Sequence, residues 1–296
     1  MAKKRRVKIV FDFYEVVDNY TKKSLKEVLD YLSTVQNGPE KTLEIFGEDV
    51  RLEEINYDNA TGNYKASFVK LRPMEKIGIY SYTGGKREIT LNDNEYVGEE
   101  VSFYFDPSMH LLVLQRNKYG ISSTGAEKYF QHYAQDDRLE LRPMFTEDTY
   151  KKLLKQKVIS AIETSISIPS DGILEGEVEG WAFGDIKKIR DQLGALKIGV
   201  IFTVEDSRKS KLDFKTAVKL IKELRNLKNT NKLIAKVKKD EHARLEELNM
   251  FNDLIRMTYW KTIEMGKTLS TYALQDMAMD AYNAKKEEIQ QLFLKN

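Results

Sequence analysis

Polar and apolar residues alternate over positions 7–14, placing Val7, Ile9, Phe11 and Phe13 on one face of a predicted strand. The period changes at Ser24, after which Leu25, Val28, Leu29, Leu32 and Val35 recur at helical spacing. Ser24 and Glu27 have the capping-box separation, in which hydroxyl and carboxylate satisfy N–H groups left free at a helix start. Residues 65–72, 77–82 and 87–91 read as strands, with Thr83-Gly84-Gly85 as a hairpin turn between the last two. A clearer hairpin joins 101–105 to 111–116 through Asp106-Pro107-Ser108, where Asp and Pro favour a turn. Thr124 and Glu127 suggest a second capping box, opening a helix whose inner side carries Ala126, Tyr129, Phe130 and Tyr133. Residues 138–142 form a further short strand.

Beyond residue 150 the pattern becomes strand (157–168), helix (184–193), strand (196–204, apolar on both faces), helix (213–227) and strand (232–238). Residues 257–265 read as another strand and 271–293 as a long helix with Leu274, Met277, Ala278, Ala281 and Ile289 in line. The expected class is α+β. An N-terminal antiparallel sheet with two helices spans 1–150, a smaller β-α-β-α-β unit spans 151–265, and a C-terminal helix at 266–296 packs on either domain or on a dimer partner.

Composition supports a packed core: 41% of residues are hydrophobic, with 16 Tyr and 13 Phe among 296 residues and only five Pro. The absence of Cys excludes disulfides, thiolate chemistry and zinc sites built on Cys. Neither a secretory apolar stretch nor a segment of roughly 20 apolar residues occurs, so a cytoplasmic protein is expected. The cluster at 3–6 reads as an import signal, a phosphate-binding arm or a solvated terminus.

Net charge is only +2, yet residues 208–239 contain twelve Lys or Arg against Asp213 and Glu223. That segment therefore carries +10 and the remainder of the chain −8. On the helix at 213–227, Phe214, Ala217, Leu220, Ile221, Leu224 and Leu227 share an arc, and Lys215, Lys219 and Lys222 lie opposite it, with Lys211 in line just before. Arg208 and Lys209 precede the stripe; Lys232, Lys236, Lys238 and Lys239 follow on the next strand. Solvated helix faces usually mix signs, because like charges at i,i+4 cost about 0.2–0.5 kcal/mol. Clustered lysines suit phosphate backbones and counterion release rather than base reading. A face matched to an acidic protein surface, or a merely soluble face, is the alternative.

Catalytic patterns are sparse. His110, His132 and His242 are scattered, and neither a phosphate loop nor a dinucleotide fingerprint occurs. Asp171 with Asp185-Ile186-Lys187 could hold Mg²⁺ as in metal-dependent nucleases, although Asp185 also suits a first-turn acid. No cofactor is expected.

Several segments, in order, resemble RexA-type phage exclusion proteins and a related family of phages and bacteria: Phe-Asp-Phe-Tyr at 11–14, Glu-Glu-Val-Ser-Phe-Tyr-Phe-Asp at 99–106, Arg-Leu-Glu-Leu-Arg-Pro at 138–143, Phe-Gly-Asp-Ile-Lys-Lys-Ile at 183–189 and Lys-Leu-Ile-Ala-Lys-Val-Lys at 232–238. The resemblance implies a homodimer with a mobile second domain that binds double-stranded DNA without sequence preference, a membrane-protein partner, and roles for Lys236, Lys238, Lys187 and Lys188. The expectation is a non-enzymatic DNA-binding protein acting in phage exclusion, with a protein-docking module as the alternative and a Mg²⁺-dependent nuclease as a further one.

Overall fold

A computed structural model describes residues 3–36, 38–72, 79–80, 84, 86–87, 92, 95–146, 148–167, 197–204, 211–226, 230–241 and 243–293. The chain is α+β and divides into two units, one formed by Met1–Arg142 with Arg256–Asn296 and the other by Pro143–Ile255. The first unit begins with β1 (Lys4–Val17), α1 (Leu25–Thr34), β2 (Thr42–Ile45), β3 (Glu48–Asp58) and β4 (Asn63–Arg72). The short β5 (Ile79–Tyr80) and β6 (Lys86–Arg87) follow, then β7 (Val97–Asp106), β8 (Leu111–Gln115), α2 (Ser123–Ala134) and β9 (Glu140–Pro143). The second unit contains α3 (Asp148–Leu154), β10 (Val158–Ser167), β11 (Lys197–Thr203), α4 (Phe214–Asn226), β12 (Thr230–Lys238) and β13 (Glu246–Asn249). The chain then returns to the first unit as β14 (Arg256–Glu264) and α5 (Thr271–Phe293).

In the first unit the strands lie in the order β14-β1-β8-β7-β4-β3-β2, with β9 also on β1. Helices α1 and α2 bury Leu25, Val28, Leu29, Leu32, Ala126, Tyr129 and Phe130 in one core cluster. There Phe68 meets Phe103, Tyr129 and Phe130 at centroid distances of 5.5, 5.2 and 5.3 Å. Helix α5 packs against β4, β7 and β8. It buries the five apolar positions read from its sequence together with Tyr282, whose hydroxyl donates to Asp106. The capping box at Ser24 and Glu27 forms in both directions. The second box does not: Ser122 caps α2 by accepting Gly125 N–H at 3.1 Å, and buried Glu127 instead accepts Leu141 N–H at 2.6 Å, tying the helix to β9.

The second unit has a four-stranded sheet ordered β11-β10-β12-β13. Strands β11 and β12 are each antiparallel to β10, so they run parallel to one another, and α4 is the crossover that joins them past β10. Its inner face buries Ala217, Ile221 and Leu224 against Ile159, Ile162, Leu233, Ala235 and Val237. The strand at 196–204, expected to be buried on both faces, is an edge strand of alternating exposure, with Ile201 64% exposed. The helix expected at 184–193 lies outside the described residues.

The unit boundaries fall at 142/143 and 255/256 rather than near 150 and 265. Strand β14 pairs with β1 from Arg256↔Asp12 to Glu264↔Lys4, which closes the first unit with residues distant in sequence.

Candidate nucleic-acid interface

The lysine helix forms as its periodicity predicts. Asp213 caps it, accepting from the backbone and hydroxyl of Thr216 at 2.9 and 2.6 Å, and this holds the Asp213 carboxyl below its ordinary range. With the apolar arc fixed in the core, Lys215, Lys219 and Lys222 are exposed on the opposite side and Lys211 precedes them, also exposed. At a rise of about 1.5 Å per residue, Lys215 to Lys222 covers about 10 Å, while a duplex carries one phosphate per strand for roughly every 3.4 Å of its axis. Two of these lysines have distant carboxylates, Lys211 to Glu241 at 3.9 Å and Lys219 to Glu223 at 3.7 Å, all at exposed or partly exposed positions. Such pairs add little stability and release the cation readily to another anion. Lys215 and Lys222 have no carboxylate within ion-pair distance among the described residues.

The strand lysines do not extend this surface. Leu233, Ala235 and Val237 point into the core beneath α4, so by strand alternation Lys232, Lys236 and Lys238 leave the sheet on the face away from the helix. There Glu163 on β10 accepts from Lys232 and Lys236 at 2.7 and 2.6 Å, and Glu247 on β13 lies 3.8 Å from Lys236. The two lysines draw the Glu163 carboxyl down to about 2. Lys238 is half-buried at the strand end, and Lys239 is exposed just beyond it.

Arg225, counted among the basic residues of 208–239, is buried with Asp253. The two meet at 3.5 Å, the guanidinium lies 4.1 Å from the centroid of Phe145, and Asp253 also accepts the Thr149 N–H at 2.7 Å. This is an internal support of the second unit. Lys187, Lys188, Arg208 and Lys209, with the Asp171 and Asp185 of the nuclease pattern, lie outside the described residues.

One histidine has a partner that sequence spacing does not reveal. His110, in a left-handed backbone conformation, places Nδ1 2.9 Å from Oδ1 of Asp18, while Oδ2 of Asp18 accepts the Leu25 N–H at 2.7 Å. The pair ties the β7–β8 turn to the head of α1, beside a cleft of about 820 Å³ whose lining includes Glu15, Tyr20, Met109 and Arg142. No group of three His, Asp or Glu side chains converges on a metal position among the described residues. No described helix is long and apolar enough to cross a membrane.

The structure is thus a two-unit α+β protein whose second unit displays a lysine stripe on a helix anchored by its other face. The profile of a family of unknown function, DUF6731, matches residues 2–289, and the chain belongs to that family. No curated protein matches it in sequence.

Proposed function

We propose that this protein binds DNA without sequence specificity, holding the phosphate backbone along the outer face of α4. The observation that carries this reading is the row Lys215, Lys219 and Lys222, exposed on a helix whose inner side is locked in the core, with exposed Lys211 just before it. Lysine is a compact, hydrated point charge suited to phosphates, and the row lacks the Arg and Asn side chains that read base edges. Affinity then comes from counterion release and falls steeply with salt. The resemblance to RexA-type proteins supports phage exclusion as the setting and a homodimer as the acting form.

Purification of the full chain without nuclease, followed by its 260/280 nm absorbance ratio and filter retention of a random-sequence duplex at two salt concentrations, tests the proposal. Bound nucleic acid and salt-sensitive retention are expected. A chain that retains no duplex at low salt, yet captures acidic polypeptides, would instead be a protein-docking module.

A further inference from the structure

A second basic surface lies on the first unit, formed by residues far apart in sequence. Strand β14 pairs with β1 from Lys4 to Asp12, whereas β8 joins β1 only from Phe11 to Glu15. Among the described residues of defined register, the opening half of β1 and the closing half of β14 therefore make a two-stranded ribbon. Its residues Lys3–Arg6, Lys8 and Trp260–Thr262 are exposed. Five cations stand in 3–8 and two more, Lys261 and Lys267, in 259–267; the one acid in these stretches is Glu264, held by Lys267 at 2.7 Å.

The register orders these charges. Lys4, Arg6 and Lys8 lie opposite Glu264, Thr262 and Trp260, so the three cations share one face of the ribbon with the indole. The Arg6 guanidinium sits 4.5 Å from the Trp260 ring centroid. A guanidinium stacked on an indole keeps its N–H fork free while losing rotational freedom, which preorganises it for a phosphate. It also covers a ring face that an unstacked base would otherwise take, which favours duplex over single strand. A two-stranded ribbon has the width that the major groove admits, about 12 Å.

We infer that this β1–β14 ribbon is a second binding surface for duplex DNA, with Lys4, Arg6 and Lys8 on phosphates and Trp260 fixing Arg6. It stands on the first unit and on observations independent of α4. An anionic membrane is the competing polyanion. The ribbon's exposed apolar residues are Trp260, capped by Arg6, and Met265 at the far end, five positions apart, whereas insertion into a lipid interface needs a continuous apolar face.

The test uses the full chain, a short random duplex, a single strand of equal length and phosphatidylserine-containing vesicles, each between about 50 and 200 mM salt. The Lys4→Gln/Arg6→Gln/Lys8→Gln variant should lose about 2.7 from the salt slope for duplex, at about 0.9 per phosphate contact. Trp260→Ala, which leaves charge unchanged, should keep the slope but weaken duplex binding several-fold, and Trp260→Phe should restore part of it. Duplex affinity and slope unchanged in the triple variant would overturn the inference. So would tighter binding to the single strand, or a loss confined to vesicles. A matching variant of α4 run alongside separates the readings, because each triple alters only its own contacts.

Discussion

Neutralising Lys215, Lys219 and Lys222 together by Gln distinguishes a binding surface from a soluble one. The substitutions keep most of each side chain's length, and all three positions are exposed. The single ion pair lost, Lys219 with Glu223 at 3.7 Å, supports the helix by no more than about 0.5 kcal/mol. Folding should therefore be intact, with an unchanged urea midpoint as the check. If each lysine neutralises one phosphate, the slope of log affinity against log salt becomes shallower by about 2.7. Over a fourfold rise in salt the wild type then loses about fortyfold more affinity than the variant. The control is Lys232→Gln/Lys236→Gln, also removing positive charge from the same unit. Those lysines are already held by Glu163, so the slope should change by less than about 1 for the pair. Filter binding of one duplex at several salt concentrations measures both. Equal slopes in wild type and α4 variant, or the larger effect in the strand variant, would refute the assignment.

Two further predictions concern the frame beneath the stripe. Asp253→Ala removes the carboxylate shared by Arg225 and the first turn of α3, and should destabilise the second unit by about 3–5 kcal/mol in urea; a loss below about 1 kcal/mol would mean the pair is solvated. The Glu163 carboxyl is held near pKa 2, below its ordinary 4.5, so its contribution is complete above pH 4.5 and vanishes as pH falls through 2. The stability gap between wild type and Glu163→Gln should accordingly close over that range, and a gap independent of pH would show that the lysines do not hold the carboxylate.

Elements whose period is set by their own residues were legible in the sequence. Helix α5 runs over Thr271–Phe293 as its spacing predicts, and α4 and the β7–β8 hairpin lie where their arc and turn residues place them. What escaped depends on partners far along the chain. Thr124 and Glu127 have capping-box spacing, but Glu127 faces inward because Leu141 N–H on β9 needs a buried acceptor. Strand β3 keeps its alternation only until a register shift between Glu53 and Asn56 interrupts the pairing with β4, and Glu54 takes a left-handed conformation there. Strand β14 reads as one more strand in sequence, and only its pairing with β1 places it with the first unit, which puts the boundary at 255/256.

The same limit governs the charged segment. A count over 208–239 compares each cation only with its sequence neighbours, and so returns +10. Folding brings in carboxylates from elsewhere: Glu163 and Glu247 to the strand lysines, Asp253 to Arg225 and Glu241 to Lys211. A strand inside a sheet has neighbours on both sides that supply such partners, whereas the outer face of a helix has only solvent and its own i±3 and i±4 positions. Helical lysines with little acid at those spacings therefore stay largely uncompensated in the fold, whereas Lys232 and Lys236 on the strand are held by carboxylates. The Lys3–Lys8 cluster is the informative exception. It lies on a strand, but its partner β14 contributes Trp260 and Lys261 at the exposed end, and its acid Glu264 is held by Lys267, so pairing concentrates charge there instead of cancelling it.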